Sequence, residues 1–366
     1  MIKKSIANLP LHGGKAPLWL FNRMKKMARQ ILLIIIKEYG NKEVLKRISD
    51  PFWFQALGCV LGFDWHSSGL TTTVNGAIKE ALNGLEKDTG IFVAGGKGGK
   101  SRQTPMEIIR FADRNGFDGQ NYVKISRLTA KVDSVAIQDG YQLYLHHIFF
   151  TKDGNWVVIQ QGMNEKNKYA RRYHWFSDEV ESFVETPHKA ICGDKEENEV
   201  LNMTAVDSRE ARETTLDLSR HDPVKVLNEI KIISTCNLPA RHQIFYNDMN
   251  SSHIEKVLLS TYENQPDNFE NLLLTRGFGP KAMRSLVLLS EIIYGKEPSY
   301  KDPITYSFAH GGKDGIPYPV DRKLYDANVE FLKEILNSSK IEETEKSRAF
   351  KRLSNFEVKG ETHDIC

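Results

Sequence analysis

The stretch that most limits how this chain can fold lies near its middle. Tyr141-Gln-Leu-Tyr-Leu-His-His-Ile-Phe-Phe150 and Trp156-Val-Val-Ile-Gln-Gln161 are rich in β-branched and aromatic residues, and Lys152-Asp153-Gly154-Asn155 joins them with turn chemistry. This pattern predicts a β-hairpin inside a region of strand character running from Lys131 to Gln161. On either side the signals are helical. Leu18 to Tyr39 reads as a helix stopped by Gly40, Asp50-Pro51 opens the aromatic-dense Phe52 to Val60, and Thr73 to Leu82 is helical again. Thr104-Pro105-Met106-Glu107 predicts a helix start, with Thr104 as N-cap and Glu107 closing the box, and a helix to about Arg114. From about Asp222 onward the sequence is almost wholly helical.

The expected fold class is α+β. A mixed α/β domain with a hairpin-containing sheet covers residues 1–193, a charged connector 194–221, a helical domain 222–338, and a polar, mobile tail 339–366. No repeat of roughly 20 to 50 residues is present.

Composition excludes several classes. A chain of 366 residues, 40% apolar and 27% charged, is an ordinary globular protein with room for two or three domains. Its net charge of +3 makes any basic surface a matter of local clustering. Cys59, Cys192, Cys236 and Cys366 are far apart and form no CxxC pair, which fits a reducing cytosol and a cytoplasmic protein. The apolar run Ile31 to Ile36 is far below the roughly 20 residues that span a bilayer. With no cleavage site after it, it reads as a buried helix.

Residues 90–101, GIFVAGGKGGKS, have the letter spacing of a Walker A loop, with Ala94 in place of the first glycine. A phosphate loop needs its Lys and Ser on the first turn of a helix, whereas the helix signal here begins only at Thr104-Pro105, and no Walker B strand follows. No ATP is expected. A nucleotide-dependent enzyme using this loop is the least favoured reading, and a basic loop presenting Lys97, Lys100 and Arg102 to a phosphodiester chain is favoured instead.

The segment from Asn271 to Glu291 has a clearer mechanism. An apolar helix end leads into Gly277-Phe278-Gly279, and a second helix opens with Pro280 and continues its buried stripe through Leu286, Leu289 and Ile293. This is the pattern of a helix-hairpin-helix, whose bare amides and helix N-terminus hold a nucleic-acid phosphate without reading bases. Lys281, Arg284 and Arg276 are placed to reinforce that contact. The bland alternative is a packing corner that needs glycine for backbone conformation alone.

Candidate chemistry lies earlier in the chain. Asp64 and His66 are two apart, suited to ligating a divalent metal or to pairing as base and orienting group, or else to capping and core packing. Asp133, Asp139, His146 and His147 precede Gln160-Gln161, with the neighbouring histidines on opposite faces of a strand. Arg171-Arg172, flanked by Tyr173 and Trp175, suits a scissile phosphate or a stacked single strand. Phe308 to Arg322 contains a His310-Gly-Gly-Lys313 turn that echoes His12-Gly-Gly-Lys15, and Asp321 reads as an N-cap.

HGGKAP, DPFWFQALGCVLGFDWHSSG, QQGMN with YARRYHW, GFGPK, and SFAHGGKDGIPYPVDR together resemble the prokaryotic domain-of-unknown-function family seven-sixty-three, from about Asn8 to about Leu336. The resemblance implies no catalytic set, so the functional expectation rests on the residues. It is a cytoplasmic, DNA-binding, metal-dependent nuclease that grips the phosphate backbone of DNA (or RNA) through the hairpin, with no membrane partner. Asp64 and Asp133 would hold Mg²⁺ or Mn²⁺, His66 or His147 would be ligand or base, and Arg171 would stabilise phosphate charge. Arg172 would touch the strand. The alternative is a non-catalytic DNA-binding or repair-accessory module.

Overall fold

The computed structural model describes residues 16–63, 69–166, 168–193, 196–198, 200–233, 252–307 and 322–361. Asp64, His66, the two His-Gly-Gly-Lys turns and Asp321 lie outside them. In chain order the first elements are α1 (Leu18–Tyr39), α2 (Asn41–Ser49), α3 (Pro51–Val60), α4 (Gly69–Leu82), α5 (Glu86–Thr89) and β1 (Phe92–Lys97). A 3-10 turn (Gly98–Gln103) leads into α6 (Thr104–Asn115) and α7 (Gln120–Lys131), and a π turn (Val132–Ala136) into β2 (Ile137–Gln138). Then come β3 (Gln142–Phe150), β4 (Trp156–Met163), β5 (Ala170–Phe176), β6 (Ala190–Gly193) and β7 (Leu201–Asn202). The remainder is α8 (Arg209–Arg220), α9 (Pro223–Ile233), α10 (Ser252–Asn264), α11 (Phe269–Leu274), α12 (Pro280–Ile292), β8 (Tyr306–Ser307), α13 (Arg322–Ser338) and α14 (Glu343–Glu361). The fold is α+β, as the sequence indicates.

The hairpin forms where its turn chemistry places it. Phe150 faces Trp156, the Thr151 amide donates to the Asn155 carbonyl at 3.0 Å, and Gly154 supplies the positive φ of +91°. Around it the main sheet has the order β1-β3-β4-β5-β6-β8, antiparallel except for the β6–β8 pair, while β2 and β7 pair separately. The β1–β3 contact is close. Gly95, at φ +115°, lies where a Cβ would stand 2.1 Å from the His146 carbonyl oxygen, so only glycine fits. A bulge in β3 between Leu143 and Leu145 sets Tyr144 and Leu145 together opposite Gln161.

Helices cover both faces because the strands are apolar on both. Ile148, Phe150, Val158 and Trp175 pack with Leu128, Leu218, Leu272, Phe278 and Leu286 from α7, α8, α11, the α11–α12 turn and α12. Phe149, Val157, Ile159 and Phe176 point the other way, into Ile31, Leu45, Leu57, Val74 and Ile78 of α1–α4 and Leu332 and Leu336 of α13. No helix among the described residues is long and apolar enough to cross a membrane.

Three local expectations differ from this arrangement. Residues 200–220 are not a solvated connector. Leu201, Met203, Ala211 and Leu218 enter the first core, and the buried Arg212 donates to the Met203 and Ala205 carbonyls at 2.7 Å each. The tail forms α14, which buries Ala349 and Leu353 one turn apart, while Arg352 donates to the Val60 carbonyl. Two apolar residues in a charged stretch gave too weak a stripe to read from sequence. Thr104 is also no N-cap: it is helical, its hydroxyl donates to the Ser101 carbonyl, and the Gly98–Gln103 turn runs straight into α6.

Candidate functional site

Asp133 stands on the π turn at the end of α7, fully buried against the first sheet face. Its Oδ2 accepts from Gln160 Nε2 at 2.5 Å and Trp175 Nε1 at 3.0 Å, and its Oδ1 accepts from His188 Nε2 at 2.5 Å. Because Gln160 donates through its amide nitrogen, its Oε1 must accept, and it takes the proton of His146 Nδ1 at 2.8 Å. That leaves His146 Nε2 to accept from the Ser126 hydroxyl at 2.8 Å. Burial holds His146 below the usual imidazole range, although Gln160 and Asp133 pull the other way, so the ring is neutral as this tautomer requires. Ser126 and His146 are related as a nucleophile and its base would be, yet Ser126 is only 4% exposed on the inner side of α7. What results is a satisfied polar network that fixes α7, β3, β4 and the His188 loop in register.

Arg171 faces the same side of the sheet but forms a cluster of its own. Its Nη1 donates to Asp139 Oδ2 at 3.0 Å, and its two terminal nitrogens take both oxygens of Asp302, at 2.8 and 2.7 Å. Tyr173 donates to the same Asp139 oxygen at 2.7 Å. Burial raises the Asp139 carboxyl above its usual range although Arg171 lowers it. For Arg171, burial lowers the pKa and the two carboxylates more than reverse it. The guanidinium ties β5 to the segment before β8. That segment was invisible as a partner in sequence, being 131 residues away.

His147 points through the sheet to the opposite face, beside Lys79. Burial, then Lys79 and His146, push its pKa down to about 3. Arg172 is on that face too, donating to His174 Nε2 at 2.7 Å, Gln55 Oε1 at 3.1 Å and Thr71 Oγ1 at 3.4 Å, with the Phe54 ring beneath it. Arg171, Arg172, Tyr173 and Trp175 are all buried, so the pair is not presented to a strand at the surface. The fold does not bring Asp133, His147 and Arg171 into one site. Among the described residues no three His, Cys, Asp or Glu side chains are grouped to hold a metal ion.

The turn between α11 and α12 is different. Asn268 caps α11, its side chain accepting from the Asn271 amide. Gly277 has φ +84° and is exposed, Phe278 is fully buried with its amide donating to the Thr275 carbonyl, and Gly279 is the extended N-cap of α12 ahead of Pro280. Among the described residues the Gly277 and Gly279 amides have no carbonyl partner. Arg276 and Lys281 are exposed beside them, and Arg284 is half-buried, donating to Gln138 Oε1 at 2.9 Å. Lys131 donates to the Phe278 carbonyl, anchoring the turn, and Gln138 Nε2 reaches the Pro280 carbonyl at 3.1 Å. Lys131 ends a stripe along α7 that includes the exposed Lys124 and Arg127, with Glu270 3.9 Å from Lys124. This spacing of three and four residues is a helical basic stripe, legible in the sequence but not read there.

In the Gly95–Ser101 stretch, the Gly95 amide donates to Glu107 Oε2 at 2.7 Å, and Lys79 Nζ bonds both Glu107 and the Gly95 carbonyl. A carboxylate therefore sits where a phosphate loop would offer its first donors. Lys97 and Lys100 are exposed beyond it, Lys97 lying 5.5 Å from the Tyr144 ring centre.

No curated protein and no solved structure matches the chain. The family model described as protein of unknown function (DUF763) matches residues 5–320, spanning the sheet, α1–α12 and the glycine turn alike, and the chain belongs to that family.

Proposed function

We propose that this protein binds the phosphate backbone of DNA through the Gly277–Lys281 turn and the α7 basic stripe, without reading sequence. The observation that carries this reading is the pair of glycine amides at the N-terminus of α12, on the exposed Gly277 and the half-buried Gly279, that have no carbonyl partner among the described residues. Such amides, with the positive end of a 13-residue helix, suit an anionic oxygen. Arg276 and Lys281 are exposed cations on the turn itself, and Lys124 and Arg127 are exposed on the α7 stripe whose end, Lys131, anchors it. Metal-dependent cleavage at Asp133 is not carried into this reading. Both oxygens of that carboxylate already accept hydrogen bonds, which a cation would have to displace. A cytoplasmic setting accords with Cys59 and Cys192 forming no disulfide among the described residues.

The test is fluorescence anisotropy with unrelated duplexes and single strands across a salt series. Arg276→Ala and Lys281→Ala should each weaken binding to every sequence equally and flatten the log–log salt slope by about 1. Gly279→Val should weaken binding with the fold intact, because φ there is −139° and the nearest atom to a new Cβ is 3.8 Å away. Binding that is absent, or a salt slope that these changes leave alone, would end the proposal.

A further inference from the structure

The second sheet face holds buried polar atoms that have no hydrogen-bond partner among the described residues. Thr71, Asn75 and Lys79 recur every four residues along α4 and so share one side of it. Lys79 reaches the Gly95 carbonyl on β1 at 2.7 Å, and Thr71 accepts from Arg172 on β5. Asn75 lies between them on the same side of α4, and His147 on β3 and Gln161 on β4 face this helical layer from the sheet. Asn75 is fully buried with both Oδ1 and Nδ2 unpartnered; Gln161 Nε2 and His147 Nδ1 are buried and unpartnered as well. Buried polar groups are nearly always paired, so four such atoms in one helix–sheet layer point to a ligand.

Their chemistry narrows its class. Asn75 offers a donor and an acceptor side by side. Gln161 offers its unpartnered amide donors, while its Oε1 already accepts from the Tyr144 hydroxyl at 3.0 Å. His147 stays uncharged and adds one nitrogen of either role. Lys79 already pairs with Glu107 at 2.7 Å. A metal cation would meet more donors than acceptors here, and an anion would leave the Asn75 oxygen unmatched. The layer suits a planar, neutral edge that both donates and accepts. The half-buried Tyr144, with exposed Lys97 beside its ring, marks where the layer meets solvent.

We propose that Asn75, Gln161 and His147 form a binding site for a nucleobase edge, entered past Tyr144. The site is on the sheet face opposite the Gly277 turn and does not depend on the phosphate-backbone reading. Thermal melts of the full chain with adenine, cytosine, uracil, the matching nucleosides and their 5′-monophosphates, each at about 1 mM, test it. At least one compound should raise Tm by about 2 °C. That rise should vanish in Asn75→Leu and in Gln161→Met, two variants that need not share a folding defect. If the monophosphate alone acts, and Lys97→Ala removes the effect, the source is a nucleotide; an equal effect of the free base makes the source the base itself. No shift with any compound overturns the site, as does a shift that survives in both variants.

Discussion

Replacing Arg171 by methionine tests the cluster at the centre of the first sheet face. The side chain is fully buried between two buried carboxylates, Asp139 and Asp302, at 2.7 to 3.0 Å. Methionine fills much of the same volume, so the main consequence is electrostatic. Removing one partner of a buried ion pair typically costs about 3–5 kcal/mol, because the remaining charge is stranded away from water. Acid should rescue part of that loss. Asp139 already has its carboxyl raised by burial while Arg171 lowers it, so deleting Arg171 raises it further. An acid with a raised folded-state pKa favours the fold below its unfolded value and penalises it as pH rises through the folded value. The gap between Arg171→Met and the parent should therefore be widest at pH 7 and narrower at pH 5. Urea melts of both proteins at the two pH values measure this, and contributions common to both, such as the buried histidines, cancel in the difference. A loss below about 1 kcal/mol at pH 7, or a gap that does not shrink at pH 5, would refute the stranded-carboxylate argument.

Two further outcomes follow from single residues. His147 has its pKa pushed down to about 3, so the unfolded chain takes up its proton first as pH falls below about 6.5. This one group should remove about 2 kcal/mol of stability between pH 6.5 and 5, and His147→Gln should make the pH dependence of denaturant melts shallower by that amount. Gly95→Ala should destabilise by more than about 3 kcal/mol, combining a left-handed φ with a Cβ 2.1 Å from the His146 oxygen. Gly99→Ala, with nothing within 4 Å, is the control in the same thermal melt, and equal behaviour of the two would refute the close-approach account.

Much of the fold was legible because it depends on local chemistry. The β3–β4 hairpin follows from two apolar runs and a Lys-Asp-Gly-Asn turn, and α3 from Asp50, whose carboxylate accepts the Trp53 amide at 2.8 Å just before Pro51. Domain organisation was less legible, because it depends on contacts far apart in the chain. Leu218 and Leu336 look alike in sequence, yet they pack on opposite faces of the sheet. The segment containing Asp302 gives no sign that it must meet Arg171.

The candidate residues divide along the same line. A strand's alternation correctly separates His146 from His147, but it does not say which one finds Gln160 and Ser126 and which one is left with an empty nitrogen. The sequence suggests Asp133 as a metal ligand and Arg171 as a stabiliser of phosphate charge, from the chemistry of their side chains. In the fold each is buried and held by partners of its own, Asp133 by Gln160, Trp175 and His188 and Arg171 by Asp139 and Asp302. Beside His147, plainer letters also keep polar groups unmatched among the described residues: Asn75 in a helix of small residues, Gln161 on β4, and two glycines before Pro280. Hydrogen-bonding capacity left over after folding is a property of three-dimensional neighbours rather than of residue type. The chain's capacity for function is therefore best sought where the fold has left donors and acceptors without partners.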